Sequence, residues 1–280
     1  PENIYLFFYH SELNEPLNEY KRLANKIREQ FPSLNIINSL DIITELRSVK
    51  TPEEIEKIRE SIKITKEALE NVMMNLKPDT YEYESRAHFE SYLLHRNVRK
   101  GFHTIAASGK NGVILHYDNP IKKMKSGELL MLDLGAQRCC YASDISRTYP
   151  VNGKFSDRQK DIYNIVLDAQ KLTISEMKPG ITEKELNDKV VKFYAKELKN
   201  IKLIKDDSEV SKYYYHGIGH PLGLDVHDLR RKDKVLVQNG VYTVEPGLYI
   251  AEEGIGIRIE DDVLLTKNGA ENLSKDIIKE

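Results

Sequence analysis

A chain of 280 residues holds one large domain, or one domain with a fragment attached, and 40% apolar content is enough for a real core. A net charge of −2 and a pI of about 6.5 leave no basic footprint for nucleic acid. No apolar run approaches the roughly 18 residues that a spanning helix needs, so neither nucleic acid nor membrane is an expected partner. The two cysteines, Cys139 and Cys140, are adjacent. A bridge between neighbours is strained and staples nothing, so a reducing cytoplasm is the expected location.

The chain opens on Pro1 rather than methionine and runs directly into Asn3-Ile4-Tyr5-Leu6-Phe7-Phe8-Tyr9, an apolar, β-prone strand. Leu17 to Phe31 reads as an amphipathic helix stopped by Pro32. Asn35 to Asn38 reads as a short strand, and Ser39 to Leu46 as a helical turn or two. This makes an incomplete α/β layer, and the chain is expected to begin inside a longer protein.

The next segment starts cleanly. Thr51-Pro52-Glu53-Glu54 is a capping box with proline at the first helical position. Ile55, Ile58, Ile62, Leu69, Val72, Met73 and Leu76 then recur at helical spacing, so a long helix is predicted over 51–76. Lys77-Pro78-Asp79 ends it, and a second helix is predicted over Tyr81 to Arg96. The same pattern recurs further on. Ser156-Asp157-Arg158-Gln159 opens a helix through Met177, Lys178-Pro179-Gly180 ends it, and Thr182-Glu183-Lys184-Glu185 caps another to about Leu198. The two Lys-Pro turns stand 101 residues apart, and at that offset Glu82 and Glu84 match Glu183 and Glu185. Each half continues into strands, over 103–108 and 128–150 in the first and 241–266 in the second. The body therefore reads as two related units of helices and antiparallel strands, and a site at their junction is natural.

Three of the eight histidines fall in the stretch from Tyr213 to Asp228: His216, His220 and His227. His216 and His220 are four apart, the spacing of helical zinc proteases. A helix is excluded here by Gly217, Gly219 and Gly223, and by Pro221, which pushes His220 out of the helical region. The stretch reads as extended, with its backbone close to something else.

Carboxylates elsewhere answer these histidines. Asp133 ends the apolar strand Glu128 to Gly135, and a buried charge there needs a partner or a metal. Asp144 lies in the strand-like stretch Tyr141 to Thr148, and a hairpin turning near Ala136 to Cys140 is expected to set the two acids side by side. Plainer uses exist: Asp133 could cap the Leu134-Gly135 turn, and Asp144 could pair with Arg147. Glu245 interrupts the apolar stretch Val241 to Ile250, where Pro246 breaks the ladder. In Gly256 to Val263, Arg258 and Glu260 share one strand face and Ile257 and Ile259 the other. Four acids and one imidazole form a hard, oxygen-rich set, and four carboxylates balance two divalent ions. Without cations they would repel one another and protonate in part. Manganese suits such a set, and zinc, cobalt or iron also fit.

With these residues in hand, the chain from about residue 48 onward resembles the pita-bread metallopeptidases, the M24-type family of methionine aminopeptidase, prolidase and Xaa-Pro aminopeptidase. The resemblance implies an α+β pita-bread fold with a pseudo-twofold repeat, preceded by a partial α/β N-terminal domain. Residues 1–47 would be the remnant of that domain and 48–280 the catalytic domain. It implies Asp133, Asp144, His220, Glu245 and Glu260 as metal ligands, with Asp144 and Glu260 bridging two divalent ions. Gly112 to Asn119 looks like the stretch that carries the first catalytic histidine of the proline-specific branch, here His116. Ile218 to Asp228 and Gly254 to Asp262 look most like Xaa-Pro aminopeptidase.

The implied reaction is hydrolysis of the N-terminal Xaa-Pro bond, by a hydroxide shared between two metals. Glu245 would relay a proton and His227 would stabilise the oxyanion. His116 would contact the substrate near the scissile nitrogen, and His216 would line the pocket beyond it, though a structural role for His216 is also open. Arg258 would orient an acid such as Asp133 at the substrate site. The implied partners are peptides with proline at the second position, and a homodimer is compatible with this. Two rivals remain: a prolidase, restricted to Xaa-Pro dipeptides, and a non-catalytic binding module on the same fold. The binding module and a creatinase-like C–N hydrolase are disfavoured because all five ligands are kept.

Overall fold

The computed structural model describes residues 2–7 and 19–279. Strand β1 (Asn3–Leu6) pairs in parallel with β2 (Asn35–Asn38), and helix α1 (Glu19–Gln30) connects them. Phe8, Tyr9 and Leu17, expected in the first strand and helix, lie outside the described residues. Among those described, β1 pairs only with β2. Helix α2 (Leu40–Ser48) leads into the body.

Each half of the body begins with two capped helices. The Thr51 hydroxyl accepts from the Glu54 N–H and the Glu54 carboxylate accepts from the Thr51 N–H, which starts α3 (Pro52–Asn75) where the capping box predicts. Helix α4 (Glu82–His95) follows the Lys77-Pro78 turn. Next come β3 (Arg99–Lys100), β4 (Ile105–Ser108), β5 (Leu129–Leu134), β6 (Ala136–Arg138), β7 (Tyr141–Ala142) and β8 (Ile145–Pro150). In the second half, Ser156 caps α5 (Asp157–Glu176) and Thr182 caps α6 (Glu183–Asn200). Such a cap contributes about 1 kcal/mol. The second set of strands is β9 (Val241–Val244), β10 (Gly247–Ile250), β11 (Ile255–Arg258), β12 (Asp261–Thr266) and β13 (Gly269–Asn272).

The halves correspond in detail. Three antiparallel strands, β4-β5-β8, face the first helix pair, and β13-β12-β9 belong to the second half. At the start of each second helix an isolated antiparallel bridge ties helix to loop, Tyr81 to Lys123 and Thr182 to Val235. Tyr81 and Thr182 stand at the offset read from the sequence.

The period-2 alternation of the strands decides what faces the junction of the halves. On β5, Leu130, Leu132 and Leu134 pack with Ile58, Leu69 and Phe89 of the first helix pair. Met131 turns the other way, against Tyr249, and Asp133 shares its face. On β8, Ile145 and Tyr149 join the first core while Ser146 and Thr148 turn towards the second half. On β11, Ile255 and Ile257 pack with Ile162 and Val166, leaving Gly256 and Arg258 on the opposite side. Gly256 is required there, since a Cβ would stand 1.9 Å from the Gly112 carbonyl oxygen.

Candidate metal centre

The polar side chains that alternation sends to the junction converge on a cavity of about 1130 Å³. All nine residues singled out in the sequence line it: His116, Asp133, Asp144, His216, His220, His227, Glu245, Arg258 and Glu260.

The histidine-bearing stretch contains no helix, as its glycines and Pro221 require. It lies antiparallel along β9. Leu222 donates to Val241, His220 and Thr243 exchange bonds, and Glu245 donates to Ile218. Gly219 makes this approach possible, because a Cβ would stand 2.0 Å from the Thr243 carbonyl oxygen. The register brings His220 Nε2 to 3.7 Å from Glu245 Oε1 and 3.4 Å from Asp144 Oδ2. Ligand atoms of Asp144, His220 and Glu260 all lie within 4.8 Å of one another.

Three strand expectations need correction. Asp133 stands opposite Ser146 in the β5–β8 ladder, not opposite Asp144. The turn at Cys139-Cys140 belongs to a side ribbon, β6–β7, inserted between the two acids. Asp144 precedes β8 in phase with Ser146, so the acids are diagonal neighbours on one face. Glu245 and Glu260 lie between strands rather than within them, at the β9/β10 and β11/β12 breaks. Pro246 accounts for the first break. At the second, the Glu260 N–H leaves its own sheet and donates to Ser146. Arg147 is not the partner of Asp144. It is fully buried and donates to Asp261 at 2.6 Å.

Charge here is unbalanced by protein groups alone. Burial pushes the Asp144 carboxyl well above its usual range, and the charges of Asp133, Asp262 and Glu245 push further. Burial raises Glu260 in the same way, with Asp144 next, and it raises Glu245. Arg258 lies among them. Its Nη2 donates to Asp133 Oδ2 at 2.6 Å and its Nε to Ser146 Oγ at 2.7 Å. Ser146 in turn donates to Glu260 Oε2 at 2.7 Å. Arg258 Nη1 reaches the Tyr249 hydroxyl, which bonds His216 Nε2 at 2.8 Å.

The donor set fits divalent cations on three observations. Asp133 Oδ1 and Asp144 Oδ1 are buried with no hydrogen-bond partner among the described residues. His220 Nδ1 faces the Pro221 carbonyl at 3.1 Å, which can only accept, so Nδ1 carries the proton. Nε2 then presents a lone pair to two carboxylates, an arrangement that repels unless a cation lies among them. Four acids and one imidazole are also the ligand chemistry of hard divalent ions.

The remaining histidines surround this cluster. The His227 ring meets the His220 ring edge-on at 4.1 Å, and burial, then His220 and His116, lower its pKa. Burial, followed by Arg258, pulls His216 down to about 4. Both shifts favour the neutral imidazole over the imidazolium ion. His116 stands exposed at the cavity.

Sequence reasoning missed several contributors. Ser146 and Tyr249 connect the acids, Arg258 and His216, and Thr243 holds His220. The alternation on β8 and β10 is the signal that would have flagged the first two. Asp262 accepts the Asp144 N–H at 3.1 Å. One wall of the cavity comes from α2, through Asp41, Thr44 and Glu45, facing Arg230 to Lys234. No local pattern announces that contact.

Comparison with known proteins agrees with this construction. Residues 56–267 match metallopeptidase family M24, and the chain belongs to that family. It is 36% identical over 269 residues to Xaa-Pro aminopeptidase of Haemophilus influenzae, covering 88% of this chain and 62% of that relative. A solved Bacillus anthracis structure is 49% identical with a TM-score of 0.96, covering 100% of this chain and 67% of the other. Zinc-substituted Escherichia coli aminopeptidase P in complex with product is 32% identical with a TM-score of 0.88, covering 97% and 68%. The fold is the α+β pita-bread fold, with its repeated helices and antiparallel sheets. The chain spans about three fifths of the length of the curated relatives it matches.

Proposed function

We propose that this chain is the catalytic part of a dinuclear metal-dependent aminopeptidase that releases the first residue from peptides with proline second. The observation that carries the reading is the His220 Nε2 lone pair turned into a buried group of acids, two of which have an oxygen with no partner among the described residues. The names of the Haemophilus influenzae and Escherichia coli relatives support the substrate class. Asp133, Asp144, His220, Glu245 and Glu260 would hold two divalent ions, manganese by the hardness of the donors. Such ions would supply Lewis acidity, drawing the pKa of a water towards ~7 and polarising the scissile carbonyl.

The chain's own groups do the rest. Glu245 takes a proton from the attacking water and passes it towards the leaving nitrogen. His227, a neutral N–H donor beside His220, stabilises the oxyanion. Arg258 holds Asp133 in one orientation and, through Ser146, Glu260 as well. An Xaa-Pro nitrogen carries no hydrogen, so the site recognises the ring by shape and must protonate that nitrogen itself. His116 faces it, and His216, fixed by Tyr249, lines the pocket for the proline ring. Residues 1–47 are read as part of a preceding α/β domain.

The test is a panel of Xaa-Pro-Zaa tripeptides, their alanine counterparts and Xaa-Pro dipeptides, assayed with Mn²⁺ and read by product mass. Release of one residue from the proline tripeptides, far faster than from the alanine ones, is expected. Cleavage confined to dipeptides would make the protein a prolidase. No turnover of any Xaa-Pro peptide would leave a binding role.

A further inference from the structure

Glu82, the first residue of α4, is fully buried and lies outside the ligand set. Its carboxylate is occupied by the excursion between β4 and β5. Oε1 accepts from the Ser108 N–H at 2.6 Å, the Ser108 hydroxyl at 2.8 Å and Asn111 Nδ2 at 3.0 Å. Oε2 accepts from the Tyr117 hydroxyl at 3.0 Å and the Lys122 N–H at 3.2 Å. Asn111 also donates to Tyr117, at 2.9 Å. The Glu82 N–H returns a bond to the Lys122 carbonyl.

These donors run from Ser108 to Lys122, and His116 lies between them. Residues 114–121 have no helix or strand of their own. Tyr117, bonded to Glu82, directly follows His116. A buried carboxylate facing only N–H and O–H donors holds them strongly, because each bond is charge-assisted.

The second half repeats the device. Glu183, the first residue of α6, stands at the position equivalent to Glu82. It pairs with Arg230 Nε at 3.1 Å, in the segment that follows His227. In each half, then, the first-turn glutamate of the second helix grips the segment that carries a histidine into the cavity.

We infer that Glu82 is a positioning residue for His116: its carboxylate fixes the chain on both sides of that residue, at Ser108 and at Lys122, and thereby sets where the imidazole stands. The inference rests on the reading of His116 as a substrate-contacting group.

The experiment compares Glu82→Gln with the wild type, in both the native and the His116→Ala background. Glutamine keeps the shape but turns an amide N–H₂ at groups that are themselves donors. Tyr117→Phe is the second variant, which removes the donor next to His116 and leaves α4 untouched. Metal content, Tm, kcat and KM are measured on a Xaa-Pro-Zaa tripeptide. The His116 ring resonance is recorded by NMR in metal-free protein. Glu82→Gln is expected to lower kcat by ~10-fold or more and to leave metal content unchanged. In the His116→Ala background it should add less than ~2-fold, because it acts through that ring. The ring resonance should broaden or shift in Glu82→Gln and in Tyr117→Phe. Equal losses in both backgrounds, or an unchanged ring resonance in both variants, overturns the inference. A fully active His116→Ala would instead remove the catalytic reading of His116, and the NMR result then decides on positioning alone. If Glu82→Gln does not fold, Tyr117→Phe is carried through the same cycle.

Discussion

Arg47 Nη2 lies 2.5 Å from Asp228 Oδ1, so the last turn of α2 grips the residue beside His227. Lys50 Nζ approaches the other oxygen at 3.4 Å, and Lys50 and Asp228 are both buried. Burial lowers the Lys50 pKa and Asp228 opposes that shift. Asp228→Asn would leave a buried ammonium without its counter-charge. A loss of about 3–5 kcal/mol is expected, seen as a Tm lower by at least ~5 °C. Asp228→Asn/Lys50→Met should recover part of it. An unchanged Tm in the single variant would mean that the cluster contributes nothing to stability.

Metal removal gives the second prediction. Protein purified without chelator and reloaded should approach two divalent ions per chain by elemental analysis. Chelation should lower Tm, because the ions bind only the folded state. Full activity with one tightly held ion would end the two-metal reading.

The third prediction separates ligand from catalyst. His227→Ala should keep its metal and lose ~10²–10³ in kcat, the range for a lost oxyanion donor. His220→Ala should lose metal. Metal loss in both variants would show that His227 has been given the wrong role.

Acid stability gives the fourth. His216 has a folded pKa of about 4, against about 6.5 unfolded. Between these values the unfolded chain binds the extra proton, so stability rises with pH in that window. The contribution of His216 is thus complete above about 6.5 and lost as pH falls towards 4. Metal-free wild type should therefore lose stability relative to His216→Gln on acidification, by denaturant titration at several pH values. Parallel stability curves would contradict the burial argument.

Much of this architecture is written locally. Thr51, Ser156 and Thr182, each with its partner three residues on, mark helix starts that the structure keeps. Alternation in β5 and β11 identifies Asp133 and Arg258 as the polar members of apolar strands. The glycines and Pro221 exclude a helix around His220. What local pattern does not carry is long-range register. Whether Asp133 meets Asp144 or Ser146 depends on how much chain the β6–β7 ribbon takes out of the ladder. The breaks at Glu245 and Glu260 depend on which neighbour receives each N–H. The wall supplied by α2 is invisible for the same reason: Arg47 and Asp228 are far apart in sequence and touch only in the folded chain.

The proposed ligands divide between the halves: Asp133 and Asp144 come from the first, and His220, Glu245 and Glu260 from the second. Neither half owns a complete site. Ions bound there would act as a non-covalent cross-link, so that neither half could open without releasing them. Sub-global opening, which otherwise lets one unit of a protein exchange its amide hydrogens while the rest stays closed, would be suppressed at this seam. The loaded protein should exchange as one cooperative body, and the metal-free protein as two.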